Sequence, residues 1–113
     1  MAENISPFRI VETSPGKFSL LLSDFSPASE VFDEAGIEGG GYAWESVARH
    51  IVENVAPELG GRLGFDPEAS MFCAYGEDRD ALADLGTRLA ALFRDRAALT
   101  KVIETIGPEN FED

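Results

Sequence analysis

The sequence predicts an α+β fold, a two-layer sandwich with a four-stranded antiparallel sheet covered by helices. Three observations carry this. Two pairs of segments rich in β-branched or aromatic residues are each separated by turn signals, giving two hairpins. Each hairpin is followed by stretches whose apolar residues recur at helical spacing. The order of elements is therefore ββααββαα, and hairpins followed by helices bury their apolar surface best as a sheet with helices on one face.

The first strand is Phe8-Arg9-Ile10-Val11-Glu12-Thr13, in which Phe8, Ile10 and Glu12 share one side. Ser14-Pro15-Gly16 is a turn signal, and Lys17-Phe18-Ser19-Leu20-Leu21-Leu22-Ser23 is the second strand, with Phe18, Leu20 and Leu22 on one face. At Ser26-Pro27 the period changes. Ser26 is expected to cap a short helix with Pro27 in its first turn, Val31 and Phe32 on its apolar side, and Gly36 as its stop. A glycine-rich elbow, Gly36-Ile37-Glu38-Gly39-Gly40-Gly41, calls for positive φ or close backbone approach.

The clearest helix follows, with Trp44, Val47, Ala48, Ile51, Val52 and Val55 on one stripe and Pro57 at its end. Residues 62–66 form a short strand, Asp66-Pro67-Glu68-Ala69 a turn, and residues 70–75 the last strand. A long helix starts near Asp78 and buries Ala81, Leu82, Leu85, Leu89, Leu92 and Phe93. A shorter one buries Leu99, Val102, Ile103 and Ile106. Each hairpin's second strand leads through an acidic turn into a helix, a faint internal echo with too few identities to establish duplication.

The 113 residues make a single α+β domain over 1–113, with 107–113 expected as a flexible polar tail. At 44% hydrophobic the chain is too apolar for a disordered acidic segment. The net charge of −12 removes the positive field that nucleic acid or an anionic membrane surface requires, so neither is an expected partner. One cysteine, Cys73, cannot close an internal disulfide, which suits a reducing compartment. Residues 1–7 have neither a basic nor an apolar leader segment, so no signal peptide is expected. The longest apolar runs, Met71 to Tyr75 and Leu89 to Phe93, fall far short of the roughly 20 residues of a membrane span. A soluble cytoplasmic monomer or small homo-oligomer is the expectation.

Catalytic and ligand-binding patterns are weak. His50 is the one histidine and has no ligand-spaced partner, so it is expected to be structural or solvent-facing. Cys73 lies in apolar company and is expected as a buried small hydrophobe. No Cys/His cluster has zinc spacing, so no metal site and no cofactor are expected. Gly39-Gly40-Gly41 precedes a helix, yet no Lys-Ser or Lys-Thr follows, and Glu38 and Glu45 would repel an anion. Glu77-Asp78-Arg79-Asp80 fits an acidic helix start, and matches a calcium loop only in fragments. Asp66 and Glu68 form the one carboxylate pair that could act as acid and base, and a hairpin turn stabilised by the Asp side chain accounts for them better. No nucleophile–base pair is present, and an enzyme is not expected.

The charge is concentrated. Residues 1–23 are neutral, whereas residues 24–58 carry eight acids against Arg49 alone, net −7. That segment also holds Tyr42, Trp44 and the glycine elbow. Aromatic anchors in an acidic field suit a basic protein surface, and Trp44 serves equally as the start of the core stripe.

Two stretches, Glu38-Gly39-Gly40-Gly41-Tyr42-Ala43-Trp44-Glu45-Ser46 and Phe65-Asp66-Pro67-Glu68-Ala69-Ser70-Met71-Phe72-Cys73-Ala74-Tyr75, resemble the signature motifs of the immunity protein 51 family of bacterial polymorphic toxin systems. The resemblance extends over nearly the whole chain, from the first strand to the last long helix, with departures at Gly40 and Ala43, where that family carries polar residues. It implies an α+β protein of the cytoplasm, without catalysis, whose partner is a cognate toxin domain. Toxins of such systems include basic nucleases, so the resemblance places Glu38, Tyr42, Trp44, Glu45, Asp66 and Glu68 as toxin-binding candidates. The alternative from the residues alone is a small-molecule- or metal-binding α+β module, with Tyr42, Trp44 and the elbow lining a pocket and Asp66 and Glu68 as polar contacts. A hydrolase using Asp66 and Glu68 would require a deep concave site around them.

Overall fold

A computed structural model describes residues 5–111. Four strands form one antiparallel sheet in the order β1-β2-β4-β3: β1 is Arg9–Ser14, β2 Lys17–Leu22, β3 Gly64–Phe65 and β4 Phe72–Gly76. Four helices, α1 (Ser26–Glu34), α2 (Gly41–Asn54), α3 (Arg79–Phe93) and α4 (Arg96–Ile106), complete the expected ββααββαα order.

Each hairpin turns where its chemistry requires. Gly16 sits at φ +77°, and its N–H donates to the Glu12 carboxylate at 3.1 Å, closing the β1–β2 turn. β3 is shorter than the sequence suggests because the chain leaves regular pairing at Asp66, whose N–H still donates to the Cys73 carbonyl. The Pro67 ring supplies no donor, and the turn closes instead through two bonds between Glu68 and Met71.

Helix ends follow capping chemistry, with one correction. Asp78 and Asp95 each accept an N–H three residues on, from Ala81 and Ala98 at 3.1 Å, and open α3 and α4. Ser26 does not cap α1; it is the first helical residue, and its own N–H donates to Asp24 at 3.2 Å. The α1 stop is as expected: the N–H of Ile37 reaches back to the Phe32 carbonyl while Gly36 takes φ +78°.

Packing follows from strand alternation. Leu20, Leu22, Phe72 and Ala74 point to one face of the sheet and are buried beneath α2 and α3. α2 contributes Trp44, Val47, Ala48 and Ile51, while Val55, predicted on the same stripe, is exposed past the helix end. α3 contributes Leu82, Leu85, Leu89 and Phe93, and at Gly86 it lies so close to β2 that a Cβ would sit 3.0 Å from Leu20. α4 packs Leu99 and Ile103 inward.

Trp44 occupies the centre, fully buried. Phe8 and Phe32 meet it edge-on at 5.7 and 5.6 Å between ring centroids, and Phe93 lies tilted at 5.8 Å. Such aromatic contacts add to the burial of the rings themselves. The indole Nε1 has no hydrogen-bond partner in this cage.

The segment after α4 differs from the polar tail expected there. Gly107 takes φ +89°, a 3₁₀ turn covers Pro108–Asn110, and Phe111 returns to the core against Phe32 at 6.1 Å. One aromatic among polar residues is enough to dock that turn, because burying a phenylalanine contributes about 2 kcal/mol. Residues 112 and 113 lie outside the described residues, as do 1–4.

Trp44→Ala should cost about 3–5 kcal/mol in urea denaturation. Trp44→Phe should cost distinctly less, since it keeps an aromatic ring and removes an N–H that bonds to nothing. Equal losses would show that the indole nitrogen contributes a bond.

Candidate functional site

The two motif stretches are separate in sequence and meet in space. The Gly41 N–H, in the first turn of α2, donates to the Ala69 carbonyl at 3.2 Å. A Cβ on Gly40 would overlap that same carbonyl, and one on Gly41 would overlap the carbonyls of Glu68 and Met71. At Gly39 a Cβ would stand 3.0 Å from the Phe32 ring. None of these three glycines has positive φ. Of the two explanations for the glycine run, close approach is the one that applies: backbone is packed directly on backbone.

This seam sets the positions of the charged and aromatic side chains. Glu38, Gly40, Tyr42 and Ala69 line a hollow of about 220 Å³. Glu38 and Glu68 are exposed, and Tyr42 is half-buried. One turn further along α2, the Glu45 carboxylate accepts from Arg49 Nε at 3.0 Å and Nη2 at 2.7 Å. The Arg49 guanidinium lies 4.9 Å over the Phe65 ring, so it joins α2 to β3 by charge and by its planar face. Arg49 and Phe65 were not singled out in the sequence, although the i,i+4 spacing of Glu45 and Arg49 carried the signal.

The remaining candidates part company. Trp44 is withdrawn from the surface, because a residue 0% exposed touches no partner. Asp66 lies on the outer face of the sheet, away from the helices, where it lines a hollow of about 520 Å³ with Ser19, Cys73, Tyr75 and Glu77. Asp66 and Glu68 are both exposed on the turn, so the deep concave site that an acid–base pair needs is not formed around them.

Cys73 also corrects an expectation. It is half-buried on that outer face rather than in the core, because alternation along β4 sends Phe72 and Ala74 inward. Burial pushes its thiol pKa up, a hydrogen bond from Ser19 acts the other way, and the Asp66 charge adds to the rise.

The acidic middle segment is partly neutralised in place. Glu30 and Glu34 pair with Arg96 of α4 at 3.1 and 3.4 Å, and Glu45 pairs with Arg49. Such exposed pairs contribute little to stability, but they lower the local field. His50 is half-buried on α2 with its Nδ1 3.3 Å from the Asn54 amide, at the edge of a polar groove between α2 and the end of α4. Among the described residues, no three His, Cys, Asp or Glu side chains are grouped as metal ligands. No helix among them is long and apolar enough to cross a membrane.

The family model of immunity protein 51 matches residues 8–108, most of the chain, and the chain belongs to that family. No curated protein and no solved structure matches it.

Gly41→Ala should destabilise the fold by about 1–3 kcal/mol, since its Cβ meets rigid carbonyls rather than a movable side chain. Gly16 has open space but positive φ, so Gly16→Ala tests strain alone, and thermal melts of the two variants separate clash from strain. The folded chain holds the Cys73 proton more tightly than the unfolded chain does. This contribution to stability is therefore complete below the ordinary thiol range and is lost as pH rises through the raised value. Alkylation by a neutral reagent across pH 7–10 should show Cys73 reacting more slowly than the same residue in urea at every pH below that value.

Proposed function

We propose that this member of the immunity protein 51 family binds and neutralises a cognate bacterial toxin by surface complementarity, with an acidic surface turned to a basic toxin domain. The observation that carries this is the seam between the two motif stretches, which brings Glu38 and Tyr42 to one hollow and sets the backbone of the exposed Glu68 against Gly41. An inhibitor of this kind needs a rigid, complementary surface rather than a reactive group. Backbone packed on backbone at Gly40 and Gly41 gives that rigidity, because no side-chain rotamer separates the two segments.

Each side chain has a distinct part in this reading. Tyr42 offers a half-buried ring, a large contact area with few rotatable bonds to freeze. Glu38 and Glu68 supply the negative potential that steers a basic partner inward. Glu45 flanks the rim with its charge already matched by Arg49, so it contributes shape and hydrogen-bonding capacity more than field. Trp44 supports the rim from below. Asp66, on the outer face of the sheet, lies outside this set.

Neutralisation then needs no chemistry from this chain. A toxin that acts on a phosphate-bearing substrate has a basic cleft, and an acidic rim seated in that cleft excludes the substrate by charge and by bulk. The excess of acids in residues 24–58 supports this, and the neutrality of residues 1–23 indicates that the hairpin they form is not the steering surface. The same logic places the protein in the cytoplasm of the toxin-producing cell, where its own nucleic acid is at risk.

Co-expression with the toxin encoded beside it should restore growth, and toxicity unchanged by this protein would count against the proposal. Glu38→Lys with Glu68→Lys should slow association roughly 10-fold while leaving the melting temperature in place. Raising salt from about 0.05 to 0.5 M should slow association of the unaltered protein, because exposed charges are screened beyond a Debye length. A rate indifferent to salt would exclude electrostatic steering.

A further inference from the structure

We propose that the outer face of the sheet pairs with the same face of a second copy of this chain, forming a reversible two-fold dimer. The inference does not depend on the toxin reading. It starts from strand register, which fixes the side chains that share this face. Arg9 pairs with Leu21, Leu21 with Cys73, and the Cys73 carbonyl receives the Asp66 N–H, so Arg9, Leu21, Cys73 and Asp66 form one row across four strands. Val11, Ser19, Tyr75 and Gly64 form the next, with the Tyr75 ring lying over Gly64. Lys17 and Glu77 continue the pattern one step beyond the pairing of Phe18 with Gly76.

The face is apolar in its middle and oppositely charged at its ends. Val11, Leu21 and Cys73 are half-buried and Tyr75 is 49% exposed, the largest exposed aromatic among the described residues. Charge runs from positive on the β1–β2 side, at Arg9 and Lys17, to negative on the β4–β3 side, at Asp66 and Glu77. Among the described residues none of these four charges forms an ion pair within the chain, whereas Arg49, Arg62, Arg88 and Arg96 each do.

That arrangement is complementary to itself. Rotation by a half-turn about an axis parallel to the strands, between β2 and β4, carries the β3 edge of one copy over the β1 edge of the other. Rows stay in register under this rotation. Arg9 then faces Asp66 of the second copy, Lys17 faces Glu77 and Leu21 faces Cys73, each contact occurring twice, as an isologous interface demands, while Tyr75 lies over Ser19, which is already buried within its own chain. Face-packed sheets lie about 10 Å apart, which interdigitating side chains of this size fill. A neutral hairpin is also where two chains of −12 each can approach with the least repulsion.

Strands of six, six, five and two residues, about 4.8 Å apart with about 3.3 Å per residue, give a footprint of roughly 300 Å² per copy. A standard interface buries about 800 Å² per partner, so the dimer should be weak, with dissociation in the hundreds of micromolar.

The test is sedimentation equilibrium of the purified chain alone, from about 1 μM to about 1 mM. The expected result is a monomer–dimer equilibrium. Arg9→Glu or Asp66→Lys alone should weaken it at least 10-fold, and the two together in one chain should restore it to within about 3-fold, because the reversed charges again face each other. Both positions are exposed and circular dichroism melts should be unchanged. Tyr75→Arg should abolish dimerisation from the centre of the face, and the alkylation rate of Cys73 should fall as protein concentration rises. A chain that stays monomeric throughout overturns the proposal and leaves the face to a different molecule. A dimer unmoved by the single reversals, or not rescued by the double one, overturns it equally.

Discussion

The packing of Trp44 is the constraint on which the rest of the structure depends. Its ring is met by Phe8 just before β1, Phe32 on α1 and Phe93 on α3, and Phe8 in turn meets Phe72 on β4 at 5.9 Å. Trp44 and Phe8 together therefore link both hairpins to three of the four helices. Because Phe32 also abuts Gly39 and Phe111, the same aromatic cluster sets where the glycine elbow enters α2 and where the chain ends its last turn. Edge-to-face contacts specify angle as well as distance, so the cluster fixes relative orientation and not only burial.

From that anchor the surface follows. Trp44 holds α2, and α2 presents its first turn to the β3–β4 turn with no side chain between them at Gly40 and Gly41. Glu45 and Arg49, one and two turns along the same helix, complete the attachment through Phe65. The residues that resemble the family's signature are thus largely those of a joint. Some of them, Trp44 and the glycines, are needed because the joint must form. Others, Glu38, Tyr42 and Glu68, are carried by it into solvent. A motif read only as a list of residues mixes these two classes, and burial separates them.

Much of this was legible in the sequence, and the exceptions have physical reasons. Helical period located α2, α3 and α4, and strand alternation with turn residues located both hairpins, because amphipathic patterning is local and survives without tertiary information. The sequence favours Ser26 as the α1 cap whereas Asp24 supplies the acceptor, since either residue suits that chemistry and only backbone conformation chooses between them. Phe111 reads as part of a polar tail because one aromatic has no period; its docking depends on Phe32, nearly eighty positions earlier. The sequence leaves the depth of Trp44 open because its stripe fits the core while its neighbours fit a surface, and both are true of α2. The outer position of Cys73 was available from alternation with Phe72 and Ala74, but apolar neighbours in sequence argued for the core.

The distribution of bases completes the electrostatic argument. In a chain of nine bases and 21 acids, most arginines are engaged close to home: Arg49 with Glu45, Arg62 with Asp78, Arg88 with Asp84, and Arg96 with Glu30 and Glu34. These pairs flatten the field over the helices without reversing it, because acids still outnumber them there. The β1–β2 hairpin is different. Arg9 and Lys17 stand on its outer side with no acid of their own hairpin directed at them, since the Glu12 carboxylate is turned to the Gly16 N–H. The two sides of the sheet therefore have different electrostatic character. The four helices carry eight acids against five bases. The outer side is dipolar across its strands and suits a partner with the same dipole reversed, which is what a half-turn of the molecule itself provides.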